Sequence, residues 1–136
     1  MKPAISRGAT IWPFNGSLSK LVASGRPVLA ETYPKFAYNI VGLSTIGKKR
    51  NQDDRRKRLA GWKNASNLKL TDDLKSLIEV GFGGSPTGED QFDAFAGLLG
   101  MIEVVDGRIP EGNSDERWSN WEGWMLGLNH DRPKPE

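Results

Sequence analysis

Hydrophobic residues lie in short groups along the first third of the chain, separated by proline, glycine and polar turns. These groups predict an edge strand over residues 10–14, a short helix that carries Leu18, Leu21 and Val22, and a buried strand over residues 28–30. Strands followed by helices are typical of an α/β protein. Since only two strands are visible, the predicted sheet is small.

Apolar residues at helical spacing predict four further helices in the rest of the chain. They cover residues 34–41, residues from 53 through about 65, residues 71–82 and residues 89–106. Pro34 suits a first helical position because its missing N–H would have no partner there, and Thr71 is an N-cap residue. The last helix is apolar almost all the way round, which indicates that it is buried on most sides.

The composition favours a single soluble domain over residues 1–136, with a frayed tail at residues 129–136. No apolar stretch approaches the roughly 18 residues needed to cross a bilayer, and the N-terminus lacks the apolar core of a signal peptide. We therefore expect a cytoplasmic protein with no membrane partner.

The absence of cysteine and the presence of one histidine, His130, narrow the possible chemistry. Thiolate nucleophiles and thiolate metal sites are excluded, and zinc sites and histidine acid–base catalysis are disfavoured. The net charge of +2 is too small to indicate nucleic-acid binding by itself. Carboxylates, hydroxyls and lysines in local clusters are the remaining candidates.

Three acids are candidate catalytic residues and metal ligands. Asp90 and Asp93 are spaced i,i+3 at the start of the last helix, so their side chains lie close together. In one interpretation Asp90 caps the helix and Asp93 interacts with its dipole. In another, Glu31 at the carboxyl end of the strand at residues 28–30 joins them, and the three provide oxygen ligands for Mg²⁺ or Mn²⁺. Glu31 alone is equally consistent with a solvated residue.

A basic segment, residues 48–58, contains seven basic and two acidic residues. Such a segment is typical of a surface that holds a phosphate backbone. The predicted nucleic-acid-binding residues are Lys48, Lys49, Arg50, Arg55 and Arg56. The alternative is a solvated helix face on which Asp54 and Arg58 form an i,i+4 pair.

Three tryptophans, Trp118, Trp121 and Trp124, recur at every third position near the end of the chain. They would either stack on bases or, as is more common, cover an edge of the core. The glycines at positions 83, 84 and 88 are not followed by the Lys-Ser/Thr pair of a phosphate-binding loop. His130, in a polar tail, is expected to be exposed.

Five segments together resemble the domain-of-unknown-function 429 family, whose members are predicted nucleases with an RNase H-like fold. They are IWPFNGSL (11–18), VLAETYP (28–34), KKRNQDDRRKR (48–58), GEDQFDAFAGLLGMIEVVDGRIPEG (88–112) and EGWMLG (122–127). Each segment is weakly specific, but their order is that of the family, and the resemblance extends from about residue 9 to residue 128.

The resemblance implies a mixed sheet flanked by helices and a Mg- or Mn-dependent phosphodiesterase site that contains Glu31, Asp90 and Asp93. It also implies that residues 1–136 correspond to the C-terminal portion of an RNase H-like domain. The family's N-terminal strand hairpin, whose first strand supplies a further aspartate, is missing. We expect weakened catalysis for that reason. An unpaired sheet edge would favour a homodimer or a complementing N-terminal polypeptide.

Three functional hypotheses follow from these observations. The first is a metal-dependent nuclease-like domain that acts on nucleic-acid phosphodiesters, or its inactive remnant. The second is a non-catalytic nucleic-acid-binding module that uses residues 48–58. The third is a protein-interaction fragment.

Overall fold

The computed structural model of the protein describes residues 8–112 and 125–128. Over these residues the architecture is mixed α/β, with one two-stranded parallel sheet and five helices. The strands are β1 (Thr10–Ile11) and β2 (Val28–Leu29), and the helices are α1 (Leu18–Ala23), α2 (Pro34–Ile40), α3 (Gln52–Ala60), α4 (Asp72–Glu79) and α5 (Thr87–Val105). The α/β class is confirmed, whereas the RNase H-like fold and its missing hairpin stay predictions.

The chain divides into two compact units. The first unit combines Met1–Tyr33 with Val104–Glu136, and the second comprises Pro34–Glu103. Organisation as one domain stays a prediction. Among the described residues, no helix is both long enough and apolar enough to span a bilayer.

The small sheet belongs to the first unit. Thr10 pairs with Val28 and Ile11 with Leu29 in a parallel register. β1 stops at Ile11, two residues before Pro13, which has no N–H to donate to a ladder. The strands therefore lie where the hydrophobic groups predicted them, but they are shorter.

Helix α1 is capped by an acid far away in the sequence. Ser17 occupies the N-cap position, but its side chain accepts no capping hydrogen bond. Instead, Glu111 Oε2 accepts hydrogen bonds from the backbone N–H of Leu18 at 2.5 Å and from Trp12 Nε1 at 3.2 Å. A carboxylate is favourable there because the first N–H groups of a helix have no partners within it.

The core of the second unit is aromatic and forms around α5. It contains Ala37, Tyr38, Leu43, Leu59, Phe82, Phe92, Phe95, Ala96 and Leu99. The ring of Phe92 lies 5.4 Å from that of Tyr38 and 6.5 Å from that of Phe82, measured between centroids. Gly100 allows α5 to approach α2 closely, since a Cβ there would be 3.1 Å from the Cβ of Ala37.

Helix ends differ from the predictions where the backbone turns. Thr71 caps α4 as predicted, and its hydroxyl accepts from Leu74 N at 3.3 Å. However, α4 ends at Glu79 and does not reach Phe82, because Gly81 and Phe82 both adopt positive φ angles. Similarly, α3 ends at Ala60, with Gly61 as its C-cap, so the apolar positions beyond it are not helical.

Helix α5 begins two residues earlier than predicted. Because it starts at Thr87, Asp90 lies inside its first turn, and the prediction that Asp90 is the cap is wrong. Asp93 lies beyond that first turn. The expectation of burial on most sides is also incomplete, since Leu98 is 51% exposed.

Candidate functional site

A polar cluster in the second unit joins α2, α5 and the loop before α3. The hydroxyl of Tyr38 donates to Asp93 Oδ1, and Lys49 Nζ lies 2.5 Å from Asp93 Oδ2. Lys49 Nζ is also 3.2 Å from Glu89 Oε1, while Arg50 Nε is 3.7 Å from Glu89 Oε2. The two carboxylates are thus matched by two cations and one phenol.

Arg55 holds the loop that carries Lys49. It is only 1% exposed, and its guanidinium donates to three backbone carbonyls. These carbonyls belong to Lys49 at 2.6 Å, Gly81 at 2.8 Å and Gly83 at 2.6 Å. A buried arginine that is satisfied in this way serves as an internal clamp. We therefore exclude Arg55 from the surface that can meet a ligand.

Arg58 forms a second clamp on the same loop. Its Nη2 donates to Gly47 O at 2.5 Å and to Thr45 O at 3.2 Å, and its Nε donates to Ile46 O at 3.2 Å. Its guanidinium carbon also lies 5.8 Å from the centre of the Tyr38 ring. The alternative of an Asp54–Arg58 pair is not what forms, since Asp54 Oδ2 accepts from the backbone N–H of Lys48 at 2.8 Å.

The cluster changes the protonation of two of its members. Burial raises the pKa of the Tyr38 phenol above its ordinary value, and the hydrogen bond to Asp93 raises it further. The hydrogen bond to Asp93 likewise raises the pKa of Lys49, partly opposed by desolvation. At neutral pH, Tyr38 is therefore an uncharged donor and Lys49 a cation.

The predicted acids are distributed over both units. Glu31 is exposed in the first unit, where its carbonyl accepts from Leu126 N at 2.9 Å. Asp90 is exposed on α5, and Asp93 is half-buried on the same helix. Within either unit, over the residues that the structure describes, no three acidic or histidine side chains form a group able to hold a metal ion.

The donor set around Asp93 does not fit a divalent cation. Mg²⁺ and Mn²⁺ require several oxygen ligands directed at one point. Here one oxygen of Asp93 accepts the Tyr38 hydroxyl and the other faces the ammonium of Lys49. A second cation at this position would be repelled by the lysine. The roles of Glu31, Asp90 and Asp93 as catalytic residues and metal ligands stay predictions from the family resemblance.

Four cations of the basic segment face the solvent: Lys48, Arg50, Arg56 and Lys57. The side chain of Arg50 is 88% exposed despite its long contact with Glu89. Arg56 makes long hydrogen bonds of 3.2 Å to Glu79 O and 3.4 Å to Asp53 Oδ1. Lys48 and Lys57 form no side-chain ion pair with any residue that the structure describes.

An open cavity of about 460 Å³ lies between α3 and α4, beside two of these cations. Its lining consists of Asp53, Arg56, Lys57, Leu59, Ala60, Ile78 and Glu79.

Sequence reasoning missed several residues of the cluster. Tyr38 was expected only within a helix, and Glu89 and Arg58 were given no role in a site. An i,i+4 relation between Glu89 and Asp93 was a visible signal, since it places both carboxylates on one side of α5. Trp118, Trp121, Trp124 and His130 lie outside the described residues.

Comparison of the chain with family models, with curated proteins and with solved structures found no match. The resemblance to the domain-of-unknown-function 429 family therefore stays a prediction.

Proposed function

We propose that the protein is a non-catalytic nucleic-acid-binding module that holds the phosphate backbone through Lys48, Arg50, Arg56 and Lys57. The observation that carries this proposal is that the basic residues of the segment fall into two groups, one bonded within the chain and one exposed to solvent. Lys49, Arg55 and Arg58 are bonded to other parts of the chain and hold the segment in place. The other four basic residues are exposed to solvent.

A fixed segment favours binding because its cations lose little freedom when a phosphate arrives. The nearby acids offset these cations only weakly, and Glu89 Oε2 lies as far as 3.7 Å from Arg50 Nε. Asp54 accepts from a backbone N–H, and Asp53 makes a long contact with Arg56 at 3.4 Å. Neutralising phosphates with such cations releases condensed counterions, which is the main source of sequence-independent affinity.

Contacts with phosphates position a nucleic acid but do not read its sequence. The two side-chain amides of the segment already have backbone partners, since Asn51 Oδ1 accepts from Asp53 N at 2.8 Å and Gln52 Nε2 donates to Val80 O at 2.6 Å. We therefore propose binding that depends on charge and salt, with little preference between sequences.

Hydrolysis with Mg²⁺ or Mn²⁺ at Glu31, Asp90 and Asp93 is the competing prediction. It requires carboxylates that are free to take a cation, whereas Asp93 is already paired with Lys49 at 2.5 Å. Incubation of labelled DNA and RNA with the full chain and either metal should give no cleavage. Cleavage that is lost in Asp93→Asn would contradict a non-catalytic role.

The matched experiment for binding compares two triple variants that remove the same charge. One is Lys48→Ala/Arg50→Ala/Lys57→Ala, and the other is Lys63→Ala/Lys69→Ala/Lys75→Ala, which changes exposed lysines after α3. In fluorescence anisotropy with a labelled oligonucleotide, the first variant should lose about tenfold or more in affinity and the second much less. Equal losses would mean that only net charge matters, and the proposed surface would be rejected.

A homodimer or a complementing N-terminal polypeptide stays a prediction. The proposed binding does not depend on a second chain.

A further inference from the structure

The carboxylates of Glu89 and Asp93 form a pair on one side of α5, four residues apart. Two acids so placed would ordinarily repel each other or attract a cation. The cation that they meet here belongs to the chain itself. Lys49 Nζ lies 3.2 Å from Glu89 Oε1 and 2.5 Å from Asp93 Oδ2, and thus bridges the two side chains.

The remaining oxygens of the pair also have partners. Asp93 Oδ1 accepts the hydroxyl of Tyr38, and Glu89 Oε2 is 3.7 Å from Arg50 Nε. Two negative charges therefore face the two positive charges of Lys49 and Arg50. Lys49 already supplies a positive charge at close range to both carboxylates, so a divalent ion would have to approach against its repulsion.

The backbone around Lys49 is held by hydrogen bonds on both sides. Its own carbonyl accepts from Arg55 Nη1 at 2.6 Å. The preceding residue donates its N–H to Asp54 Oδ2 at 2.8 Å, and its carbonyl accepts from Asn51 N at 2.8 Å. Lys49 consequently has only its side-chain torsions with which to move away from the acids.

We infer that Lys49 is the resident cation of the Glu89–Asp93 carboxylate pair, and that this pair excludes divalent metal ions while the lysine is in place. Lys49 is therefore a counterion that the chain itself supplies, although it belongs to the basic segment. The inference stands apart from the proposed nucleic-acid binding, because it concerns metal ions and rests on Lys49, which lies outside the proposed binding surface.

The test is a titration of the ¹⁵N-labelled full chain with Mn²⁺, which broadens the NMR signals of nearby amides. In the wild-type chain, the amides of Glu89 and Asp93 should keep their intensity. In Lys49→Met they should broaden selectively, at Mn²⁺ concentrations about tenfold or more below any effect in the wild type. Adding Asp93→Asn to Lys49→Met should abolish that broadening.

Lys48→Met is the matched control, because it removes the same charge from the neighbouring exposed residue without touching the pair. The Mn²⁺ broadening at Glu89 and Asp93 in this variant should match that of the wild type. Broadening in Lys48→Met equal to that in Lys49→Met would overturn the inference, as would a folded Lys49→Met that gains no Mn²⁺ binding.

If Lys49→Met does not fold, the wild type and Asp93→Asn still decide the question. Mn²⁺ broadening at Glu89 and Asp93 in the wild type that disappears in Asp93→Asn would overturn the inference. Its absence from both chains supports the inference.

Discussion

Arg55 and Gly88 are in such close contact that a Cβ at position 88 would lie 2.9 Å from Arg55 Nη2. The same Cβ would be 2.7 Å from Phe82 O and 2.8 Å from Gly83 O. The guanidinium and the start of α5 thus approach the same short stretch of backbone. The close approach explains why the second residue of α5 is a glycine.

Gly88→Ala should therefore destabilise the protein by about 1–3 kcal/mol, because backbone atoms would have to shift to admit the methyl group. Gly61→Ala is the control, since its nearest new contact would be Arg58 O at an ordinary 3.7 Å. The control should lie within about 0.5 kcal/mol of the wild type. Urea denaturation measures both, and equal stabilities for the two variants would contradict the packing described around Gly88.

Removing the buried clamp should have a large effect. Arg55→Met keeps much of the side-chain volume but leaves the carbonyls of Lys49, Gly81 and Gly83 without their donor, and we expect a loss of about 2–4 kcal/mol. Arg56→Met, at the next position, removes an exposed guanidinium and should cost about 1 kcal/mol or less. Similar unfolding free energies for the two variants would mean that the hydrogen bonds from Arg55 to the three carbonyls contribute little to stability.

The N-cap of α3 should contribute measurably to stability. Asn51 Oδ1 accepts from the N–H of Asp53 at 2.8 Å and of Asp54 at 3.4 Å, so Asn51→Ala should cost about 1 kcal/mol. Ser17 occupies the same position before α1 without making a side-chain capping bond, and Ser17→Ala should change the unfolding free energy by only a few tenths of a kcal/mol. A larger loss in Ser17→Ala than in Asn51→Ala would contradict this assignment.

Alkaline pH should weaken the cluster of Tyr38, Lys49 and Asp93. The pKa values of Tyr38 and Lys49 are raised in the folded chain above their ordinary values of 10.0 and 10.5. Their stabilising contribution is therefore complete below about pH 10. As the pH rises further, the unfolded chain loses these protons first, so the unfolding free energy falls.

Chemical denaturation across this alkaline range measures the effect. The unfolding free energy of Tyr38→Phe should decline less steeply with pH than that of the wild type, because the variant lacks one of the two shifted groups. Identical slopes for the two chains would contradict the hydrogen-bonded role of Tyr38.

The sequence predicted those parts of the fold that depend on neighbouring residues. Pro34 begins α2 and Thr71 caps α4 as expected, because both signals act within one helical turn. Positive φ angles at Gly81 and Phe82 ended α4 early. The spacing of apolar residues predicted a helix through residue 82, because it does not indicate backbone turns of this kind.

The polar cluster depends on contacts between distant residues, which a pattern cannot specify. Arg55 donates to the carbonyls of Gly81 and Gly83, which lie 26 and 28 residues away in the sequence. Asp93 accepts from Lys49, which lies 44 residues away. A run of basic residues predicts exposure for each of its members alike. Only the folded chain separates the internal cations from those that face the solvent.

The most direct test of the central claim is the salt dependence of nucleic-acid binding by the full chain. If Lys48, Arg50, Arg56 and Lys57 neutralise four phosphates of a duplex, the logarithm of the association constant should fall linearly with the logarithm of salt concentration, with a slope of about −3 to −4. The Lys48→Ala/Arg50→Ala/Lys57→Ala variant should reduce the slope to about −1. Affinity that stays flat between low and moderate salt, or a variant with an unchanged slope, would contradict phosphate binding by this surface.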